Sequence, residues 1–234
     1  MTTLEGAVVL VTGGGRGIGK ALVDDLLTRG AKKVYATARD PKTVTGDDRV
    51  VPLALEVTDP DSVAAAAEAA QDVTVLINNA GVLVQASFLD SPVDDVRREF
   101  ETNFYGPLNM ARAFVPIIER NGGGHILNVH SALSWIALSG SYSASKAAVW
   151  SQTNSLRLDL LDRGIGVTGL HVGYVDTDMV AHVDAPKATA QGVAKQALDG
   201  IESNAFEVLA DETSRQVKAR LSADPAALYP QLSA

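Results

Sequence analysis

Short apolar runs alternate with longer amphipathic segments along most of the chain. Each run is too short for a typical helix and is rich in Val and Leu, which indicates strands that are buried on both faces. The runs are AVVLVTG (7–13), KKVYATA (32–38), VVPLAL (50–55), VTVLINNAG (73–81), GHILNVHS (124–131), GVTGLHVG (166–173) and FEVLA (206–210). The pattern therefore predicts seven strands.

The segments between these runs predict helices. They cover residues 19–29, 61–70, 92–120, 142–163 and 188–203. Strands that alternate with helices are typical of repeated βαβ units and a parallel sheet. The connection 39–49 is too polar, and too broken by Pro and Gly, for a regular helix, so we expect only a short turn there.

Composition narrows the class of protein. The chain has 234 residues, of which 46% are hydrophobic and 21% are charged, as expected for one globular domain that spans 1–234. The formal net charge of −8 disfavours a nucleic-acid partner and an anionic membrane surface. With no Cys and four scattered His residues, the sequence indicates no metal site. It shows neither a signal-peptide pattern nor a run as long as a transmembrane helix, so we expect a cytoplasmic protein.

A glycine-rich segment, TGGGRGIG, follows the first predicted strand and opens the first predicted helix. Gly13, Gly17 and Gly19 form a G-x-x-x-G-x-G pattern. Such a turn can bring backbone N–H groups and the positive end of a helix dipole to a pyrophosphate. Glycine-rich turns between strand and helix are common, so the segment gains its meaning from its place after the first strand.

Tyr142 and Lys146 are four residues apart in a predicted helix, with Ser and Ala around them. Residues at this spacing share one helix face, so the ammonium can lie near the phenol. A nearby cation favours the phenolate, and we therefore expect Lys146 to lower the pKa of Tyr142 and make it a proton donor or acceptor near neutral pH. Taken alone, the pair is better interpreted as a surface Tyr and a solvated Lys, because this spacing is common in helices.

Two further polar residues join this group of candidates. Ser131 ends the fifth predicted strand, at the sheet edge where open α/β sheets bind ligands. Ser134 is the alternative hydroxyl. Asn103 lies four residues before Pro107 in a predicted helix. Because proline has no N–H, the Asn103 carbonyl is left without its helical donor and can bind water, although a simple kink is the other interpretation.

The segments TGGGRGIG, NNAG (78–81) and YSASK (142–146), together with Asn103 and Ser131, resemble the short-chain dehydrogenase/reductase family in identity and order. The resemblance implies a doubly wound, Rossmann-like α/β fold with a seven-stranded parallel sheet in the order 3-2-1-4-5-6-7 and helices on both faces. It also implies hydride transfer between a nicotinamide cofactor and a carbonyl or alcohol, as in carbonyl reductases. Homodimers or homotetramers are typical of the family.

The same resemblance implies the role of each candidate. Tyr142 would exchange the proton, Ser131 would hydrogen-bond the substrate oxygen, Lys146 would hold the nicotinamide ribose, and Asn103 would seat a water that links Lys146 to solvent. The residues that would bind the cofactor are Gly13, Gly15, Arg16, Gly17, Ile18, Gly19, Arg39, Glu56, Val57, Asn79, Ala80, Gly81, Tyr142, Lys146, Gly173, Val175 and Thr177. Two positions depart from the family: Glu56 stands where Asp is usual, and Val172 stands where Pro usually precedes Gly173.

Charge at the end of the second strand favours NADP(H) over NAD(H). Family members that bind NAD have a carboxylate there for the adenosine ribose. This chain has Ala38, followed by Arg39, and Arg16 offers a second cation in the glycine loop. A guanidinium suits a 2′-phosphate through charge-assisted hydrogen bonds. Asp40 could partly neutralise Arg39.

The small-molecule carbonyl substrate is expected in a shallow pocket, formed by the loops after strands four to six and by residues 177–190. Candidate pocket residues are Val84, Ser134, Trp135, Met179 and His182. Two other functions remain open. One is a dinucleotide sensor without catalysis, which tends to lack the Tyr/Lys pair. The other resembles a halohydrin dehalogenase, a lyase that usually has Arg in place of Lys146.

Overall fold

The computed structural model describes residues 2–233 and contains a seven-stranded sheet. Its strands are β1 (Val8–Val11), β2 (Lys33–Ala38), β3 (Val50–Ala54), β4 (Val75–Asn78), β5 (Gly124–Val129), β6 (Ile165–His171) and β7 (Glu207–Leu209). They pair in the order β3-β2-β1-β4-β5-β6-β7. Every pairing is parallel, which confirms the predicted doubly wound α/β fold and its strand order.

Helices cover both faces of the sheet. Within residues 2–233 they are α1 (Gly17–Thr28), α2 (Pro60–Ala69), α3 (Val93–Phe100), α4 (Gly106–Arg120), α5 (Gly140–Asp159), α6 (Ala190–Glu202), α7 (Glu212–Ala219) and α8 (Pro225–Leu228). Alternate residues of β1 divide the core between the two faces. Val9 and Val11 join a cluster with α1 and α6, whereas Val8 and Leu10 join a second cluster with α2, α4 and α5. This alternation explains why the central strands are apolar throughout.

The predicted helix over 92–120 is divided in the structure. A π-helical turn, Glu101–Tyr105, separates α3 from α4, and the Gly106 N–H bonds to the carbonyl of Glu101, five residues back. Because Pro107 cannot donate to Asn103, the helix widens here instead of keeping its regular ladder. The sequence located the break correctly but not its form.

Other boundaries also differ. The strands predicted at 7–13, 73–81 and 124–131 end earlier in the structure, because their last residues form the turns that line the cleft described below. The connection 39–49 contains a single 3₁₀ turn, Pro41–Thr43, as expected. Helices α7 and α8 were not predicted. In the described residues, no helix combines the length and the hydrophobicity that a membrane crossing requires.

Candidate active site

A cleft of about 1700 Å³ lies at the carboxyl ends of the strands. It collects nearly all of the residues that the sequence singled out. They are Gly13, Gly15, Arg16, Gly17, Ile18, Gly19, Arg39, Glu56, Val57, Asn79, Ala80, Gly81, Ser131, Tyr142, Lys146, Gly173, Val175 and Thr177. Asn103 and Ser134 are buried behind the cleft wall.

The glycine loop between β1 and α1 needs its glycines for geometry. Gly13 and Gly17 have φ values of +66° and +54°, in the left-handed region. A Cβ atom at Gly19 would lie 2.0 Å from the carbonyl oxygen of Gly13. The first residue before α1, Arg16, makes no side-chain cap, so the N–H groups of the first helical turn are available to an anion in the cleft.

Thr12 and Asn79 join the ends of β1 and β4, which form the floor below the loop. The Thr12 hydroxyl accepts hydrogen bonds from the backbone N–H groups of Asn79 and Ala80, each at 2.9 Å. The Asn79 amide donates to the Thr12 carbonyl at 2.8 Å. Sequence reasoning missed Thr12; its signal was a hydroxyl residue at the end of a buried strand.

Tyr142, Ser131 and Lys146 meet at the other end of the cleft. The Lys146 Nζ atom donates to the carbonyl of Val129 at 2.9 Å and lies 5.7 Å from the centre of the Tyr142 ring. Burial raises the pKa of Tyr142 to about 12; a hydrogen bond from Ser131 opposes this rise and the charge of Glu99 adds to it. Burial also lowers the pKa of Lys146 to about 8, against the opposing effect of Glu99.

These shifts correct the expectation that Lys146 lowers the pKa of Tyr142. Desolvation of the phenolate is the largest effect on Tyr142, and Lys146 directs its ammonium to the Val129 carbonyl. The phenol therefore holds its proton at neutral pH. Helical spacing placed the two residues on one face correctly, but it could not show how deeply both are buried.

The structure distinguishes the two serines. Ser131 lines the cleft together with Tyr142, and it opposes the rise in the pKa of Tyr142 that burial causes. Its oxygen accepts from the Leu133 N–H at 3.1 Å, which leaves its own hydrogen free to donate. The Ser134 hydroxyl instead accepts from the Ser131 N–H at 3.3 Å in a capping box. Ser131 is thus the serine whose position matches the predicted role.

Asn103 braces the loop after β4 with its side chain. Its amide oxygen accepts from the Val82 N–H at 2.9 Å, and its amide nitrogen donates to the Val82 carbonyl at 3.0 Å. The nitrogen also reaches the Ser145 hydroxyl at 3.1 Å on α5. The sequence predicted a role only for the Asn103 carbonyl, whereas the structure shows that its side chain braces the loop.

The segment after β6 closes one side of the glycine loop. A Cβ atom at Gly17 would lie 3.1 Å from the Thr177 methyl group, so the two segments are in contact. The Gly173 N–H donates to Asp211 at 2.6 Å. Val172, which replaces the usual proline, is buried, and its carbonyl accepts from the Ala132 N–H at 2.9 Å. The backbone therefore keeps a path along the cleft without the proline.

The two candidate cations, Arg39 after β2 and Arg16 in the glycine loop, differ in their surroundings. Arg39 is exposed at the cleft, and within residues 2–233 no carboxylate lies within ion-pair distance of it. Asp40 forms no ion pair with it; the Asp40 carboxylate caps the next turn by accepting from the Lys42 N–H at 3.0 Å. Arg16 lies 3.8 Å from Asp178, and both side chains are exposed.

The substrate side of the cleft is largely apolar. Of the five pocket residues that the sequence suggested, only Met179 lines it. Trp135 is buried and stacks on His171, with ring centres 3.9 Å apart, while His182 is exposed outside the cleft. Other side chains that line this part of the cleft are Leu83, Gln85, Leu133, Ile136, Leu138 and Tyr174. Sequence reasoning missed them because their elements have no regular periodicity.

The fold and the cleft together define a dinucleotide-binding α/β protein of the doubly wound class. The family model described as short chain dehydrogenase matches residues 7–188. The 3-oxoacyl-(acyl-carrier-protein) reductase of Vibrio cholerae is 32% identical over 197 residues, which cover 80% of this chain and 81% of that protein.

Two solved structures extend the comparison. A short chain dehydrogenase from Burkholderia cenocepacia in complex with NADP is 38% identical, with a TM-score of 0.93 and coverage of 98% of both chains. The 3-ketoacyl-(acyl-carrier-protein) reductase from Brucella melitensis, complexed with NADH, is 26% identical, with a TM-score of 0.80 and coverage of 87% of this chain and 95% of that one. The chain belongs to the short-chain dehydrogenase/reductase family of oxidoreductases.

Proposed function

We propose that the protein reduces a ketone or an aldehyde to an alcohol with NADPH, in a reversible hydride transfer for which Tyr142 moves the proton. One observation carries the proposal. Tyr142, Ser131 and Lys146 converge at one end of a single cleft, and the glycine loop and Arg39 lie in the same cleft. A proton-transfer group and a dinucleotide site in one continuous space are what such a reaction needs.

The residues of the cleft fit a dinucleotide. Its volume of about 1700 Å³ exceeds that of a typical small-ligand pocket. Gly13, Gly17 and Gly19 keep side chains out of the turn, and the start of α1 would face the pyrophosphate. Asn79 to Gly81 and Lys146 would hold the nicotinamide ribose, with Thr177 near the carboxamide. When bound, the reduced nicotinamide supplies the hydride.

The other residues would handle the proton and the substrate. The phenol of Tyr142, protonated at neutral pH because burial raises its pKa, would donate its proton to the carbonyl oxygen. The free hydrogen of Ser131 would bind the same oxygen. Lys146 would place its positive charge beside the Tyr142 ring. Asn103 would keep the wall beside Lys146 in place through Val82, and the predicted water at its carbonyl stays part of this proposal.

The preference for NADP(H) rests on Arg39. Arg39 is an exposed guanidinium at the end of β2 that has no ion pair among residues 2–233, so it can bind a 2′-phosphate, and Ala38 offers no carboxylate to a ribose hydroxyl. Relatives are described with NADP and with NADH, so cofactor choice depends on this chain's own residues. Arg16 contributes less, since it faces Asp178.

The test of the reaction is the loss of NADPH absorbance with a panel of carbonyl compounds. The panel should include apolar ketones, aldehydes and 3-oxoacyl thioesters, because the substrate side is apolar and two relatives are named as reductases of 3-oxoacyl groups. We expect Tyr142→Phe to lower kcat roughly 100- to 10,000-fold. Equal oxidation of NADPH by both proteins would refute the role of Tyr142. Tight NADPH binding without turnover on any carbonyl would favour the sensor.

The test of cofactor choice is Arg39→Ala. Loss of charge-assisted hydrogen bonds should reduce the NADPH/NADH ratio of kcat/KM roughly 10- to 100-fold. Lys42→Ala is the matched control, because Lys42 is a nearby exposed cation that does not line the cleft. An unchanged ratio in Arg39→Ala would remove the argument. Assembly as a homodimer or homotetramer, and a cytoplasmic location, remain predictions.

A further inference from the structure

Glu99 is a fully buried acidic residue on α3 that the proposed reaction does not use. Its Oε1 atom accepts hydrogen bonds from the backbone N–H groups of Val84 at 2.6 Å and Gln85 at 3.1 Å. Its Oε2 atom accepts from the hydroxyl of Ser141, the residue before Tyr142. The side chain therefore links α3, the 82–86 loop and the start of α5.

The hydrogen-bond partners of the Glu99 side chain suit a carboxylate. The Ser141 oxygen already accepts from the Ala86 N–H at 3.1 Å, so the Ser141 hydrogen is free to point at Glu99. Backbone N–H groups of Val84 and Gln85 can only donate. All three neighbours of the carboxyl group can thus donate to it, as suits a carboxylate. The three donors hold the buried side chain of Glu99 in one position beside the active site.

The loop that Glu99 holds forms part of the substrate side. Leu83 and Gln85 line the cleft. Gln85 has a φ of +60°, a left-handed conformation that a side chain rarely adopts. Its strain is offset by the bond from its N–H to Glu99 and by the bond from its side-chain amide to Ser139 at 2.6 Å. The loop is therefore fixed at the point where it faces the substrate.

The carboxylate also acts on the groups that move the proton. It raises the pKa of both Tyr142 and Lys146. Three elements pack around Glu99: α5, the π-helical turn and the 82–86 loop. Their titratable groups at this end of α3 are Tyr142 and Lys146 on α5 and the exposed Glu101 in the π-helical turn, and the loop has none. Removal of the Glu99 charge should favour the phenolate of Tyr142 and the neutral amine of Lys146.

We propose that Glu99 is a positioning residue of the active site, which fixes the 82–86 loop on α5 and sets the charge balance around Tyr142 and Lys146. Only the kinetic part of this inference rests on the proposed function. The loop contacts can be tested without a substrate.

The kinetic test compares Glu99→Gln with the wild type over a range of pH. Gln keeps the size of the side chain and removes the charge. We expect the pH profile of kcat/KM for carbonyl reduction to move to lower pH by roughly one unit, and KM for the carbonyl to rise. Asp94→Asn is the matched control, because it removes an exposed carboxylate from the same helix. A profile that overlays the wild type, or an equal shift in Asp94→Asn, would overturn the electrostatic role.

The structural test is amide hydrogen exchange of the peptide that covers residues 82–86. We expect exchange in Glu99→Gln to be at least about tenfold faster than in the wild type, whereas Asp94→Asn should match the wild type. Unchanged exchange would overturn the role of Glu99 in fixing the 82–86 loop, even if no carbonyl substrate is ever found. If Glu99→Gln does not fold, Glu99→Asp keeps the charge: it should speed exchange without moving the pH profile, and a moved profile would contradict the proposal.

Discussion

His125 offers a prediction about stability that the structure makes quantitative. The residue is fully buried on β5, and its Nε2 atom lies 2.8 Å from the Thr168 hydroxyl. That hydroxyl donates its hydrogen to the Ala205 carbonyl at 2.6 Å, so Nε2 must carry the proton. The Nδ1 atom is buried without a partner in the described residues. A second proton on this ring would create an unpaired buried charge.

Burial accordingly lowers the pKa of His125 from 6.5 to about 4. The unfolded chain then binds more protons than the folded protein between these values, so stability rises with pH in that range. The contribution is complete above the unfolded pKa and is lost as the pH falls toward 4. A difference of 2.5 pKa units corresponds to about 3 kcal/mol of unfolding free energy.

The perturbation is His125→Gln, which can keep the donor to Thr168 but does not titrate. Urea unfolding of both proteins, from about pH 7.5 to about pH 4, gives the free energy of unfolding at each pH. We expect the advantage of the wild type over the variant to shrink by about 3 kcal/mol across this range. His130 and His171 also have lowered pKa values, but they are present in both proteins. A difference that stays constant with pH would show that burial does not lower the pKa of His125.

Three further outcomes are expected. Gly19→Ala should weaken NADPH binding at least about tenfold in a fluorescence titration while the far-UV spectrum is kept, because the new methyl group overlaps a loop carbonyl; unchanged binding would count against the loop geometry. Asn103→Ala should lower the free energy of unfolding by roughly 2–3 kcal/mol in urea, since both backbone groups of Val82 lose their partners; a loss well below this range would contradict the bracing role. Glu207→Gln should destabilise the protein more at neutral pH than in acid, because His171, foremost among several donors, lowers the pKa of Glu207, and such a carboxylate stabilises the fold fully only above its unfolded pKa. Equal destabilisation at both pH values would argue against the interaction of Glu207 with His171.

The architecture and most of the cleft could be predicted from the order of residues along the chain. Apolar runs of strand length, separated by amphipathic segments, predict a parallel sheet, because helices on both of its faces bury every run. The glycines after β1 and the spacing of Tyr142 and Lys146 are local signals, because a turn and a helix face are set by near neighbours. The structure places these segments in one cleft, as their positions at strand ends require.

The chemistry of the groups in that cleft became visible only once the chain was folded. The high pKa of Tyr142 follows from its burial and the nearby charge of Glu99, and the choice between Ser131 and Ser134 follows from which hydroxyl caps a turn. Glu99 contacts residues 14 to 42 positions away in the chain. Desolvation and contacts at such separations depend on how the whole chain packs, and no local pattern of residues records them.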